Sequence, residues 1–455
     1  MRRFLCALLG AALAAAPVRA PARERVSGPD SLALSLEESV RLAVERNPRL
    51  LADRGRVSEA SAKTGEARTA FFPQVTASAG YTRLDVAPYL PTSIFERISG
   101  GSPLPGALPE RISIGRVDNY SASLRMEQPL YAGGKIGNAH GIARLAERAA
   151  ESELERSSRE LVFETKHAYL ACVQAEEMAR LAAETAGRFE SQLADVERMA
   201  ETGLAARNDV LKTKVYRAEA ELALLRSRNA ARFAKDRLCV LVDLPLGSGL
   251  VLSTRADSVS RSAVDLEAAV RAGLAGRAEL RELSYRARMA EREIATSRAG
   301  YLPDLSLFAD LSWRNPDREY EPDFYSTWSI GVAARMNVFD WGRTLRRTEQ
   351  ARSRLRQLEA AAREIENAVA LEVTRAHVSR DEAWRAIEVS REALASAREN
   401  HRVTGDRFRE GLSTNTELLD AQVLLTQAET ALSGARIAYL VAEADLERAM
   451  GGAPR

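Results

Sequence analysis

The 455-residue chain reads as mainly α-helical with a β-barrel contribution, built from a helix–strand–strand–helix unit used twice. Three observations predict this. Ile136 to about Ala200, and Thr344 to about Phe408, contain no Pro and almost no Gly; roughly 64 residues of helix at ~1.5 Å each would reach about 95 Å, beyond any globular helix. Four runs of about ten residues alternate apolar and polar side chains with the period of a strand. The chain also repeats itself. The turn Thr202-Gly203-Leu204-Ala205-Ala206-Arg207-Asn208-Asp209 is echoed by Glu410-Gly411-Leu412-Ser413-Thr414-Asn415-Thr416-Glu417, 208 positions later, and the same offset pairs Leu130-Tyr131 with Val338-Phe339 and Gly134 with Gly342. An offset of 230 pairs Leu36 with Leu266, Arg68 with Arg298 and Pro73 with Pro303. Tandem duplication follows, with 22 extra residues between Pro73 and Gly134.

In chain order, Met1-Arg2-Arg3, the apolar run Phe4 to Ala16 and Val18-Arg19-Ala20 form a secretory signal over 1–20, cleaved near 20–22. Beyond it no stretch approaches the ~20 apolar residues of a membrane helix, so entry into a membrane must be by strands. The first repeat spans 36–245. It opens with a helix over Leu36 to Arg68, broken near Asn47-Pro48, followed by strands near 74–84 and 118–130 and a helical hairpin over 136–241. Val75, Ala77, Ala79 and Tyr81 line one strand face, and Tyr120, Ala122, Leu124 and Met126 the next. The Pro- and Gly-rich interval Val86 to Val117 reads as a surface loop outside the cell. A connector over 246–265 leads to the second repeat, 266–451, with strands near 304–314 and 326–338 and a hairpin over 344–450. Within that hairpin Ala376, Ala383, Ser390 and Ala397 recur every seven residues, a seam of small side chains where helices approach closely.

Alternation of this kind also suits amphipathic hairpins on a soluble core. The charged opposite faces, with Arg125, Asp304, Asp310 and Arg335, and the secretory signal favour strands around a water-filled lumen. Four strands cannot close, and open edges in lipid cost several kcal/mol per unpaired group, so oligomerisation is required; a cyclic homotrimer would contribute twelve strands, within the range of known barrels.

Charge is balanced at +2, with Lys and Arg interspersed among Glu and Asp, which leaves a nucleic-acid partner without support. His140, His167, His377 and His401 lack paired ligand spacing, so no metal site is expected. Gly133-Gly134-Lys135-Ile136 has Pro129 where a phosphate loop needs its first Gly and no Ser or Thr after the Lys. Neither a cofactor nor an enzymatic activity is indicated. Cys172 and Cys239 fall near one level of the first hairpin, as two helix-packing thiols or as a disulfide.

The ordered series of signal, helix, Pro-led strand, strand ending in Gln128-Pro129-Leu130-Tyr131-Ala132-Gly133-Gly134, long helix, Gly-Leu tip and return helix, all repeated, resembles the TolC-like outer-membrane efflux family over essentially the whole mature chain. The resemblance implies a trimeric twelve-stranded barrel in outer-membrane lipid, continued by a helical tunnel through the periplasm. It implies as partners a periplasmic adaptor (membrane fusion) protein and an inner-membrane pump of the RND, ABC or MFS type. The adaptor would contact the tips at Gly203, Leu204, Gly411 and Leu412. Asp209, Glu417 and Asp420 match the acidic positions of the family's periplasmic gate. Phe408 and Ser413 stand where the best-known drug-efflux member has Tyr and Arg, so the family's hydroxyl and guanidinium locks are missing. Asp209 and Glu417 also lie in first helical turns, where a carboxylate offsets the helix dipole by ~0.3–1 kcal/mol with no role in transport. A secreted coiled-coil scaffold or adhesin without a lumen is the rival reading, and the same channel dedicated to metal-cation or type I protein export is another.

Overall fold

The computed structural model describes residues 32–94, 111–253, 259–316 and 324–452. The signal segment, the centre of the 86–117 interval and part of the connector lie outside them. The chain begins with a short strand, β1 (Leu32–Leu34), and two helices, α1 (Leu36–Arg46) and α2 (Pro48–Thr69). Ser35 and Glu38 close a capping box on α1. Asn47 ends α1 and starts α2: its side chain accepts from the Arg49 N–H at 2.9 Å while Pro48, which has no N–H to satisfy, takes the first helical position. The Asn47 amide also donates to Leu241 O at 2.9 Å, tying this break to the far end of the first hairpin.

Strand β2 (Gln74–Arg83) follows, then the small pair β3 (Tyr89–Pro91) and β4 (Arg111–Ser113), then β5 (Asp118–Ala132). At Gly134, in the left-handed region at φ 82°, the chain turns from strand into α3 (Lys135–Glu201), which is 67 residues long; α4 (Arg207–Leu241) returns. After β6 (Leu250–Leu252) the order continues with α5 (Leu266–Gly276), α6 (Ala278–Arg298), β7 (Asp304–Asn315) and β8 (Tyr325–Arg335). Gly342, at φ 79°, repeats the strand-to-helix bend into α7 (Arg343–Arg409), again 67 residues, and α8 (Asn415–Ala449) closes the second hairpin.

The sheet order is β2-β5-β7-β8, antiparallel throughout. Its register aligns the alternation of all four strands. Val75, Met126, Ala309 and Ile330 stand in one row, and Ala77, Leu124, Leu311 and Trp328 in another, on the same face. The opposite face stacks Thr76, Arg125, Asp310 and Ser329, with Arg125 Nε 2.6 Å from an Asp310 carboxylate oxygen. The outer strands leave these rows bare, with Val75, Trp328 and Ile330 strongly exposed, while Met126, Ala309 and Leu311 of the middle strands are half-buried. β2 and β8 each leave one edge unpaired among the described residues.

Two segments differ from the sequence reading. The last strand stops at Arg335, short of 338, because Asp340 instead accepts from the Gly342 and Thr344 N–H groups at 3.0 and 2.9 Å and fixes the bend into α7. The connector is not free chain: β6 pairs in parallel with β1, and the buried Tyr169 hydroxyl donates to Leu34 O at 3.1 Å.

The helices pack as two hairpins, α3 with α4 and α7 with α8, joined where α8 meets α3; α6 lies between α3 and α7. The buried face of α7 runs Val373, Ala376, Arg380, Ala383, Ile387, Ser390, Leu394, Ala397, His401, in steps of three and four residues. Small residues thus alternate with large ones, and the exposed neighbours Ser379, Ala386 and Ala393 stand off the seam. Arg380 fills one large position and donates to Ser262 Oγ at 2.7 Å and Tyr439 Oη at 3.2 Å. Cys172 and Cys239 are free thiols buried in one cluster with Tyr169 and Leu238; burial pushes the Cys172 thiol up to about 12.

Candidate gate at the hairpin tips

Both tips end their long helix in the same way. Gly203, at φ 77°, donates to Ala200 O at 3.1 Å while Leu204 N–H reaches Met199 O at 2.8 Å; Gly411, at φ 76°, donates to Phe408 O at 3.0 Å and Leu412 N–H to Arg407 O at 2.8 Å. A left-handed residue there lets two otherwise orphaned carbonyls be satisfied, which is why Gly occupies it. The two leucines point out of the fold, 74 % and 64 % exposed.

The return helices start differently. In the second tip Thr414 Oγ1 accepts from the Glu417 N–H at 3.2 Å and the Glu417 carboxylate accepts from the Thr414 N–H at 3.1 Å. The Ser413 hydroxyl donates to that same carboxylate, and these two bonds, the hydroxyl's first, hold the Glu417 carboxyl below its ordinary range. In the first tip Ala206 offers no side-chain acceptor, and only the return bond is made, from Ala206 N–H to Asp209 Oδ2 at 3.3 Å. Asp209 is half-buried, whereas Glu417 and Asp420 are exposed on α8. Phe408 is buried against Val196 and Leu418, with Met199, Ala205 and Val210 around it, in the small apolar core of the tip.

What joins the tips is a group that sequence reasoning missed. Asn415 is 5 % exposed and lies between the hairpins. Its amide nitrogen donates to Asp209 O at 3.3 Å and Thr213 Oγ1 at 3.1 Å, while its oxygen accepts from Gln192 Nε2 at 3.0 Å. Lys212 Nζ donates to Thr416 Oγ1 at 3.2 Å alongside. The available signal was weak: a polar residue at the first helical position, in register with the apolar Leu418 and Leu419.

Above this node a cavity of about 170 Å³ opens between α3, α7 and α8, lined by Arg188, Gln192, His401, Leu418 and Gln422 among others. Gln422 Nε2 is buried there without a hydrogen-bond partner among the described residues. Burial first, and then the Arg188 guanidinium, lower the basicity of His401, against the opposing Gln422 amide and Glu429. Arg188 is itself bound to Glu429 at 2.6 Å. No group of three metal-ligating side chains occurs among the described residues.

The outer membrane efflux protein model matches residues 40–241 and 270–452. The chain is 27 % identical to the alkaline protease secretion protein AprF of Pseudomonas aeruginosa, over 72 % of this chain and 69 % of that one. It is 23 % identical to the outer membrane protein TolC of Vibrio cholerae, over 92 % and 90 %. The solved structure of the outer membrane protein VceC of Vibrio cholerae superposes with a TM-score of 0.75 at 18 % identity, covering 92 % of this chain and 97 % of that one. With both halves matched, the chain belongs to the outer membrane efflux protein family and is an outer-membrane channel component.

Proposed function

We propose that three copies of the chain form one passive exit duct, a twelve-stranded barrel in the outer membrane continued by a helical tunnel in the periplasm, each copy contributing two related halves. The observation that carries this is the sheet, with one bare apolar face, one polar face and two unpaired edges, β2 and β8. Such a sheet meets lipid on one side and water on the other only if its edges pair with those of further copies. The helices support the same arrangement. α4 exposes Leu211, Val215, Leu222, Leu225, Phe233 and Val240, and α7 exposes Leu371, Val378 and Val389. These stripes suit helix-on-helix packing between copies. A heat-modifiable trimer in the outer-membrane fraction that conducts ions in a planar bilayer is the expected result; a monomeric protein without conductance sinks the reading.

At the periplasmic end, three copies each of Asp209, Glu417 and Asp420 would crowd like charges into one ring and attract cations. Ser413, in place of an arginine, donates its hydroxyl to the Glu417 carboxylate but brings no positive charge, which leaves the ring without that countercharge. Replacing Asp209 and Glu417 by Ala should lower cation selectivity and relieve block by multivalent cations from the periplasmic side. Unchanged selectivity and block would leave both carboxylates as helix caps. The exposed Leu204 and Leu412 tips are the proposed adaptor contacts, with an RND, ABC or MFS pump behind the adaptor. Likeness to the alkaline protease secretion protein AprF favours a second reading, type I protein export through the same duct. The pump that co-purifies after crosslinking decides between them.

A further inference from the structure

Where α3 and α6 pack side by side, a cleft of about 520 Å³ is lined by Gly141, Arg144, Leu145, Arg148, Arg288, Glu291, Arg292 and Ala295. The arginines form two pairs, each one helical turn apart, Arg144 with Arg148 on α3 and Arg288 with Arg292 on α6. None of the four has a carboxylate partner among the described residues, and Glu291 is the single acid in the lining. Elsewhere on these helices arginines do find acids: Arg159 and Arg281 share Glu155, and Arg354 of α7 reaches Glu293 of α6 at 3.0 Å. Like charges one turn apart destabilise a helix, and two such pairs facing each other add to that cost. Gly141 is part of the arrangement. A Cβ there would lie 2.6 Å from Arg292 Nη1 and 2.7 Å from its Cζ, so the guanidinium lies across the bare glycine and any side chain would displace it. Planar guanidinium forks converging on one cleft match the paired oxygens of a phosphoryl group.

We propose that this cleft is a binding site for a multivalent phosphoryl anion. The site lies about 9–20 Å along α3 from its strand-side end, close enough to the sheet that the phosphoryl group could come from a free solute or from a lipid headgroup. Binding to the purified chain does not depend on the duct reading, so the two can fail separately.

The test uses the full-length protein in two arms. In detergent, sodium pyrophosphate is compared with sodium chloride at matched ionic strength, by thermal unfolding and titration calorimetry. In nanodiscs, phosphatidylglycerol is compared with phosphatidylcholine. A solute source raises the unfolding temperature with pyrophosphate; a lipid source raises it only with phosphatidylglycerol. Arg144→Gln with Arg292→Gln should weaken the response at least tenfold, and Gly141→Ala several-fold. Without an anion the double variant should be at least as stable as the wild type, since like-charge repulsion is relieved. A wild type that responds to neither anion, a double variant that responds equally, or one that is less stable without anion would each overturn the proposal, the last because it would mean the arginines already hold a protein carboxylate.

Discussion

The two return helices, α4 and α8, have the same length and opposite fates. α8 buries fifteen residues, among them Leu418, Leu432, Ile437, Tyr439 and Leu446, because it is wedged between α7 and α3. α4 buries four, Thr213, Ala220, Leu238 and Cys239, and rests almost entirely on α3. The residues that would fill its other side are present but bare, from Leu211 to Val240. Equal length and similar connection therefore do not give equal roles. The second hairpin completes the interior of one chain, and the first presents an apolar surface that a single copy leaves wet.

Substitution at matched depths should break this comparison most strongly. Leu446, 2 % exposed, sits in the cluster with Val369 and Val373; Leu446→Ala is expected to cost about 2–5 kcal/mol in denaturant unfolding. Leu225, 57 % exposed, should tolerate Leu225→Asp with full helical circular dichroism but lose the proposed trimer by light scattering. A Leu225→Asp chain that unfolds, or that stays trimeric, would remove the distinction.

The next effect lies where the hairpins are stitched. Asn415→Ala removes the acceptor of the half-buried Gln192 amide and one of the two bonds of the Thr213 hydroxyl, which still donates to Asp209 O at 2.8 Å, at about 1–3 kcal/mol in all. Amides from 209 to 213 and from 415 to 419 should then exchange hydrogen faster, with those of the apolar cluster around Leu432 unchanged. Protection equal to wild type at the tips would show that the hairpins are held by other contacts.

A smaller contrast is built into the caps. Thr414→Ala should cost about 0.5–2 kcal/mol, while Ala206→Ser, which supplies the missing acceptor at a position already extended at φ −81° and ψ 149°, should gain about 1 kcal/mol. Unfolding midpoints moving in the same direction for both would contradict the cap assignment.

The smallest expected effect is the pH dependence at His401. Its folded-state basicity is lowered, so the folded chain favours the neutral ring, and the stabilisation is fully present above the unfolded value of about 6.5. It is lost as pH falls from there through the lowered folded value, as a cation forms beside Arg188 of α3, opposed by Glu429 and the Gln422 amide of α8. The wild type should lose more stability between pH 7.5 and 5.5 than His401→Gln; parallel losses would dissociate His401 from any acid sensitivity.

Sequence by itself determined what depends on near neighbours. The glycines at 134, 203, 342 and 411 all take positive φ because a bend or a helix stop requires the left-handed conformation, in which any other residue's Cβ is strained against its own backbone. The alternation around Val75 and Leu307 marks strands because the pleat sends successive side chains to opposite faces, and Thr414 with Glu417 marks a helix start because the cap spans three residues. Tertiary structure alone decided what depends on the rotation of one long helix about another. Ala376, Ala383, Ser390 and Ala397 were legible as a seam, but which side of that seam is buried rests on Ile387 and Leu394 meeting Leu425 and Leu432. Arg380 in a core position, Asn415 between hairpins, β1 beside β6 and four arginines in one cleft have no local signature. Their partners lie far along the chain, as Asn415 lies from Thr213 and Arg144 from Arg292. A helix surface carries every residue type at every angle until packing selects one face to close.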